Sequence, residues 1–168
     1  MVVDTFVEAG FGRGSAELGI PTANIPPGLL AELEPGVYYG WARVVSTPPP
    51  AEEPAWVEES RQRNRQVEVN YGSELQPAEQ QVLPMVMSIG WNPFYDNKQK
   101  SAEVHIMHEF KASFYGARIK VAVLGFIRNE QSYDSVDALI ADIRTDIAVA
   151  HASLARPAYT EAKALVSN

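Results

Sequence analysis

The chain has no cysteine among its 168 residues, so neither a disulfide framework nor a thiolate zinc site is available to it. Basic residues are also few. The chain has 14 lysines and arginines against 21 aspartates and glutamates, and the net charge of −7 argues against a non-specific nucleic-acid binder. No apolar run is long enough to cross a bilayer, and residues 1–10 lack the basic start and apolar block of a signal peptide. We therefore expect one globular domain over residues 1–168, located in the cytoplasm, with a mitochondrial or other organelle pool left open.

Glycine is concentrated near the start of the chain. Four glycines and one proline fall within residues 10–24, a density that fits neither a helix interior nor a regular central strand. Glycines at alternate positions leave backbone amides accessible, and Thr22 and Asn24 share one face if the chain is extended there. Accessible amides beside two neutral oxygens suit a phosphate that arrives together with a hard cation.

Residues 10–24 match neither of two common phosphate-binding motifs. The stretch is not a Walker loop, because no Gly-Lys-Ser/Thr sequence closes it. It is not a dinucleotide-binding fingerprint either, since Pro21 and the lack of apolar periodicity after Ser15 leave no helix to receive a pyrophosphate. An ordinary glycine-rich hairpin followed by a tight turn accounts for the spacing about as well as a phosphate site does, so both interpretations stay open.

Most of the chain has the pattern of β-strands. Residues 36–45 are aromatic and β-branched and lie between prolines, which predicts a strand with Tyr39 and Trp41 on one face and Tyr38 on the other. Further strands are predicted at residues 4–9, 82–91, 101–110 and 118–127. Most connections are too short for βαβ crossovers, so the predicted fold class is mainly β, a small closed antiparallel barrel.

Two segments break this pattern. An apolar stripe from Val136 to Leu154 predicts a helix, with Asp134 as its N-cap and Pro157 after its end, packed against the outside of the barrel. Residues 47–81, the acidic insertion, carry seven glutamates and three arginines, a net charge of −4. Their prolines and charge predict a mobile, solvated loop with a brief strand at residues 66–71. A partner-binding surface is the alternative to a tolerated loop.

One carboxylate stands out in the predicted strand 101–110. Alternation places Glu103 and His105 on one face and His108 on the other, so the two histidines cannot chelate one metal ion. A carboxylate among strand-core residues is costly unless it has a partner or a role, and one role is a general base for a substrate hydroxyl. A salt bridge to Lys98 or Lys100, or simple exposure at the strand end, is the simpler interpretation, and spacing alone favours it over a catalytic role.

Six short motifs are spread along the chain: Gly10-Phe-Gly-Arg-Gly-Ser, Leu18-Gly-Ile-Pro-Thr-Ala-Asn, Gly36-Val-Tyr-Tyr-Gly-Trp-Ala, Ser88-Ile-Gly-Trp-Asn-Pro-Phe-Tyr, Glu103-Val-His-Ile-Met-His and Phe114-Tyr-Gly. Together they resemble the riboflavin kinase (flavokinase) family, in its single-domain eukaryotic form. Pro-Thr-Ala-Asn in the company of Glu-x-His downstream makes the resemblance specific. It covers nearly the whole chain except the acidic insertion.

The resemblance implies a Greek-key barrel of about six strands with a helix outside. It also implies transfer of the γ-phosphate of ATP to the terminal ribityl hydroxyl of riboflavin, giving FMN and ADP. Glu103 would be the base, and Thr22 and Asn24 would bind Mg²⁺, with Zn²⁺ or Mn²⁺ as possible substitutes. The implied contacts to ATP are Gly10, Gly12, Arg13, Gly14, Ser15, Ala16, Thr22, Val121, Leu124 and Phe126. The implied contacts to the flavin are Glu103, Arg128, Gln131 and Tyr133, the last three in a mobile flap at residues 128–133.

The chain departs from the family pattern at Ala16, where many relatives carry a lysine near the phosphates, and in the longer acidic insertion. No nucleotidyltransferase-like region precedes residue 10, so we expect this chain not to make FAD. We expect a monomer with riboflavin/FMN and ATP/ADP as its partners, and no nucleic acid. Two competing classes are a flavin- or nucleotide-binding barrel without catalysis and an interaction module that uses the acidic insertion.

Overall fold

A computed structural model describes residues 1–9, 21–26, 28–62, 68–91 and 100–168. Within these residues, six strands form one antiparallel sheet in the order β1-β6-β3-β4-β5-β2. The strands are Val2–Phe6 (β1), Ala23–Ile25 (β2), Gly36–Val45 (β3), Leu83–Trp91 (β4), Lys100–Ile106 (β5) and Arg118–Arg128 (β6). The helices are Ala55–Gln62 (α1), Val136–Leu154 (α2) and Pro157–Glu161 (α3), and 3₁₀ turns span Pro77–Gln80 and Ala162–Val166. The predicted fold class, mainly β with antiparallel strands, is confirmed.

The sheet curls until its two edge strands meet. Just after β1, the amide of Glu8 donates to the carbonyl of Asn24 in β2 over 2.9 Å, as an isolated bridge. Among the described residues, this bridge joins the two ends of the curled sheet. It also brings the start of the chain beside β2, the strand that follows the glycine-rich stretch.

The strand β3 separates two hydrophobic clusters. Tyr38 and Ala42 belong to the cluster inside the curled sheet, and Tyr39 and Trp41 to the cluster on the outside. Leu154 of α2 packs in the outer cluster, as predicted for a helix outside the barrel. Because β3 carries aromatic and β-branched residues on both faces, it can be covered on both sides.

The helix α2 differs from its prediction in two details. Its N-cap is Ser135, whose Oγ accepts a hydrogen bond from the amide of Ala138 over 3.1 Å, and not Asp134. The apolar stripe is buried only toward the C-terminal end, where Leu154 is 3% exposed while Val136 is 55% exposed. The C-terminal half of α2 is therefore the part that covers the sheet.

The described part of the acidic insertion contains more regular secondary structure than predicted. It contains α1 and the 3₁₀ turn Pro77–Gln80, and it buries Val57, Ser60 and Glu79. Residues 68–71 are not a strand, because Tyr71 takes a positive φ of 55° and the chain turns there. The prediction of a brief strand is wrong for these four residues, and residues 63–67 lie outside the described part of the chain.

The predicted strand at 101–110 ends earlier, at Ile106. The amide of His108 donates to the carbonyl of Ile106 over 2.8 Å, a tight turn that ends the pairing. Residues 107–117 therefore leave the sheet. They return to it through Gly116, whose amide donates to the carbonyl of Val7 over 2.8 Å.

Candidate active site

Three side chains that the sequence predicted to act together lie side by side. Asn24 on β2 stands directly opposite Glu103 on β5 in the antiparallel register. The hydroxyl of Thr22, just before β2, donates to Oε1 of Glu103 over 3.3 Å. Ala23 and Val104 point into the inner core instead, because side chains alternate along a strand. The outer face of β2 and β5 thus presents one carboxylate beside two neutral oxygen groups.

Burial raises the pKa of Glu103 above its ordinary value. The hydrogen bond from Thr22 opposes this rise, and the negative charge of Glu130 adds to it. Glu130 follows β6 and reaches back over β4, where a Cβ added to Gly90 would collide with its Oε1. The absence of a side chain at Gly90 makes room for this second carboxylate near Glu103.

A salt bridge from Glu103 to a nearby lysine, the simpler interpretation, finds no support among the described residues. Lys100 donates instead to the backbone carbonyl of Leu33 over 2.6 Å. Lys98, the other lysine considered, lies outside the described residues. Within the described ranges, the hydrogen bond from Thr22 is the polar side-chain contact of Glu103. Among the described residues, no cationic side chain pairs with Glu103.

A cavity of about 320 Å³ adjoins Thr22. It is lined by Val104 and Ile106 and by residues 108 and 110–115, which we call the cavity wall. Aromatic rings contact each other along this wall: the ring centroids of Phe110 and Phe114 are 4.8 Å apart, and the ring planes are inclined by 58°. An apolar cavity with aromatic rings and a few polar groups is the usual setting for a planar heterocycle.

The cavity wall was not foreseen from the sequence. His108 and Phe114 belong to the family motifs, but neither was assigned to a site. After Ile106 the chain is no longer extended, so the alternation of a strand stops giving the direction of each side chain. Glu130 was missed as well, because nothing in the flap sequence marks it out from its neighbours.

The predicted adenine contacts on β6 do not share one surface. Val121 is 0% exposed inside the barrel, and Leu124 packs in the outer cluster. Phe126 is 51% exposed and contacts Tyr38 edge-on, with 5.3 Å between ring centroids. A contact between this strand and the nucleotide stays a prediction, and the side chain of Val121 is not available for it.

The flap residues are engaged with α2. Arg128 donates from Nε and Nη2 to both carboxylate oxygens of Asp146, over 2.9 and 2.8 Å. The hydroxyl of Tyr133 donates to Asp142 over 2.8 Å. Gln131 is exposed. The predicted flavin contacts of these residues stay predictions, and Asp146, 3% exposed, is a partner that the sequence did not predict.

The predicted phosphate loop cannot be placed. Gly10, Gly12, Arg13, Gly14, Ser15 and Ala16 all lie outside the described residues. Their roles, and the consequence of alanine at position 16, stay predictions.

The oxygen atoms of Thr22 and Asn24 beside Glu103 suit a cation that also binds water and the phosphates of a substrate. Among the described residues, no three His, Cys, Asp or Glu side chains cluster as a ready-made metal site. His105 Nδ1 lies 2.8 Å from the carbonyl of Pro21, whereas His108 Nε2 lies 3.6 Å from Glu79, so the two histidines have separate surroundings. Two neutral oxygens fit Mg²⁺, which keeps waters and binds substrate phosphates.

No helix in the described part of the chain combines the length and the apolar character that crossing a membrane requires.

Comparison with known proteins identifies the family of this chain. The riboflavin kinase (Flavokinase) family model matches residues 1–154. The chain belongs to the riboflavin kinase family. Riboflavin kinase of Kluyveromyces lactis is 48% identical over 168 residues, covering 96% of this chain and 89% of the relative. That of Scheffersomyces stipitis is 52% identical over 166 residues, covering 98% and 90%.

A solved structure gives the same result. The crystal structure of riboflavin kinase from Trypanosoma brucei matches with a TM-score of 0.63 and 26% identity, covering 96% of this chain and 84% of that chain. Riboflavin kinases phosphorylate riboflavin to FMN using ATP and a divalent metal, and the chain is an enzyme of this kind.

Proposed function

We propose that this riboflavin kinase carries out phosphate transfer at Thr22 and Glu103, with the adenine of ATP in the cavity beside Thr22. One observation carries the proposal: Thr22 lines the cavity and also donates its hydroxyl to Glu103. A nucleotide whose base occupies the cavity therefore has its phosphates directed past Thr22 toward the carboxylate. Phosphate transfer depends chiefly on this kind of alignment.

The phosphates also need donors, because the chain as a whole carries a charge of −7 and repels them. We assign this role to the loop from Gly10 to Ala16. Only five residues separate Ala16, the last residue of this loop, from Thr22 in the sequence. Arg13 would supply the positive charge that a lysine at position 16 supplies in many relatives.

We assign Mg²⁺ as the metal and Thr22 and Asn24 as its protein ligands. Their oxygens are neutral, which suits a metal whose charge is balanced by phosphates. When bound, the metal neutralises charge on the transferring phosphate. Mn²⁺ and Zn²⁺ are the substitutes to compare.

Glu103 orients the terminal ribityl hydroxyl of riboflavin and accepts its proton. The raised pKa of Glu103 brings it closer to the working pH, where a general base is most effective. In a loose transition state the hydroxyl loses its proton late, so orientation counts as much as basicity. Riboflavin would then lie on the outer face of β5, beneath the flap and near Glu130.

The test is an incubation with riboflavin, ATP and MgCl₂, MnCl₂ or ZnCl₂, followed by chromatography of flavins and nucleotides. We expect FMN and ADP in equal amounts, with the highest rate in MgCl₂. Phe114→Ala should raise the KM for ATP, because it removes a ring from the cavity, and leave the KM for riboflavin close to wild type. Flavin or nucleotide binding without FMN formation would instead indicate a binding barrel.

The monomeric state and the cytoplasmic location are further parts of the proposal. Light scattering on the purified chain and fractionation of cells test them directly.

A further inference from the structure

The acidic insertion places one of its carboxylates against the cavity wall. Glu79 lies in the 3₁₀ turn Pro77–Gln80 and is only 4% exposed. Its Oε1 accepts a hydrogen bond from the amide of Gln76 over 2.9 Å, which is a local capping contact. A buried carboxylate needs more than one donor, because ionised groups are costly to remove from water.

The second oxygen of Glu79 reaches a distant part of the chain. Its Oε2 accepts a hydrogen bond from the amide of Lys111 over 3.2 Å and lies 3.6 Å from Nε2 of His108. Lys111 and His108 both line the cavity beside Thr22. The ring of His108 in turn contacts Phe110, with 5.0 Å between centroids. One carboxylate oxygen of Glu79 therefore accepts a hydrogen bond from within the acidic insertion, and the other accepts one from the cavity wall.

We propose that Glu79 is a positioning residue for the nucleotide: it holds the His108 ring and the Lys111 backbone so that the cavity wall keeps the shape that accepts adenine. The acidic insertion is then a structural support of the ATP site rather than a tolerated loop. This inference rests on the proposed occupation of the cavity by adenine.

The geometry distinguishes this role from simple capping. A cap of the 3₁₀ turn requires only the contact between Oε1 and Gln76. Lys111 is 32 residues away in sequence, so the contact of Oε2 orders a segment that the turn itself does not need. Hydrogen bonds to an ionised carboxylate are stronger than neutral ones, which suits a group that fixes two segments at once.

Glu79→Gln tests the proposal with little change in shape. The amide keeps one oxygen for Gln76, but its NH₂ group cannot accept from the amide of Lys111. We expect the KM for ATP to rise about five- to tenfold, the effect of losing one charge-assisted hydrogen bond, while kcat and the KM for riboflavin stay within twofold. Glu74→Gln is the matched control, because Glu74 is exposed in the same insertion and should leave the KM for ATP unchanged.

A second measurement links Glu79 to His108. If Glu79 acts through this ring, the effects of Glu79→Gln and His108→Ala on the KM for ATP should not multiply in the double variant. A lowered melting temperature with an unchanged KM for ATP would show a purely structural role and overturn the proposal. Fully multiplicative effects would overturn the part played by His108.

These variants also distinguish a failure of the proposed adenine site from a failure of the role of Glu79. If Phe114→Ala and His108→Ala leave the KM for ATP unchanged, the cavity does not hold the nucleotide and the proposed site is wrong. If these two variants raise the KM for ATP and Glu79→Gln does not, only the role of Glu79 fails.

Should Glu79→Gln not fold, hydrogen exchange of the wild-type protein decides the question. ATP must slow exchange in both 76–80 and 108–115, and protection of 108–115 alone would overturn the coupling between Glu79 and the cavity wall.

Discussion

Glu103 and Glu79 are carboxylates that each contact a residue lining the same cavity, Thr22 and Lys111 respectively, yet their surroundings differ. Glu79 is almost fully buried and accepts from two backbone amides. Glu103 is half-buried, and among the described residues its hydrogen bond comes from one hydroxyl, that of Thr22. A carboxylate held by backbone amides is fixed in place as an anchor. A carboxylate whose described partner is one weak donor is left able to accept a proton.

The largest effect that this comparison predicts is a loss of kcat in the variant Glu103→Gln. The amide keeps the shape of the side chain but cannot take the proton of the ribityl hydroxyl, so kcat should fall by about 100-fold or more while riboflavin still binds. Steady-state kinetics with titration of riboflavin measures both. Glu109→Gln, an exposed glutamate just beyond β5, should behave as wild type. A Glu103→Gln rate within threefold of wild type would remove Glu103 from the chemistry.

The next largest effect is expected at Thr22, which donates to Glu103 and lines the cavity. Thr22→Ala removes a proposed metal ligand at the mouth of the cavity, so affinity for ATP in the presence of MgCl₂ should fall about tenfold. Calorimetry with a non-hydrolysable ATP analogue measures it. Thr145→Ala is a suitable control, because the hydroxyl of Thr145 only donates to a carbonyl of its own helix. Unchanged affinity in Thr22→Ala would defeat the assignment.

A smaller effect extends the comparison to a third carboxylate. Burial, together with the negative charge of Glu59, raises the pKa of Glu8 to about 7. The folded chain therefore holds this proton more tightly than the unfolded chain, and stability falls as pH rises from about 4.5 through about 7. Glu8→Gln should flatten this fall and add about 1 kcal/mol to the free energy of unfolding at pH 8, after allowance for solvent screening. Urea unfolding at pH 5 and pH 8 tests it, and an equal slope in both proteins contradicts it.

The smallest effect concerns the neighbour of Glu103. The negative charge of Glu130 helps to raise the pKa of Glu103, and the base must be ionised to act. The rate should thus fall as pH drops through the raised pKa, and Glu130→Gln should move this acid limb toward lower pH. Profiles of kcat against pH measure the shift. A limb that stays in place would show that Glu130 does not influence the base.

Much of the fold followed from local chemistry. The strand Gly36–Val45 has the predicted bounds, because a run of aromatic and β-branched residues between prolines has few other conformations available. The proximity of Thr22, Asn24 and Glu103 also followed from the sequence, since their motifs are specific, and their roles stay predictions. The N-cap of α2 was misplaced by one residue, because Asp134 and Ser135 are both good caps and only the backbone geometry selects between them.

The amino-acid sequence by itself determined the strands β3, β4 and β6, the helix α2 and the proximity of Thr22, Asn24 and Glu103, because each depends on residues close together in the chain or on a specific motif. The tertiary structure decided the rest: the cavity wall after Ile106, the approach of Glu130 over Gly90, and the contact between Glu79 and Lys111. Each of these joins segments that are far apart in sequence, and composition alone made the acidic insertion look solvated. Whether a carboxylate is exposed, anchored or ready to accept a proton depends on which distant donors the fold brings to it.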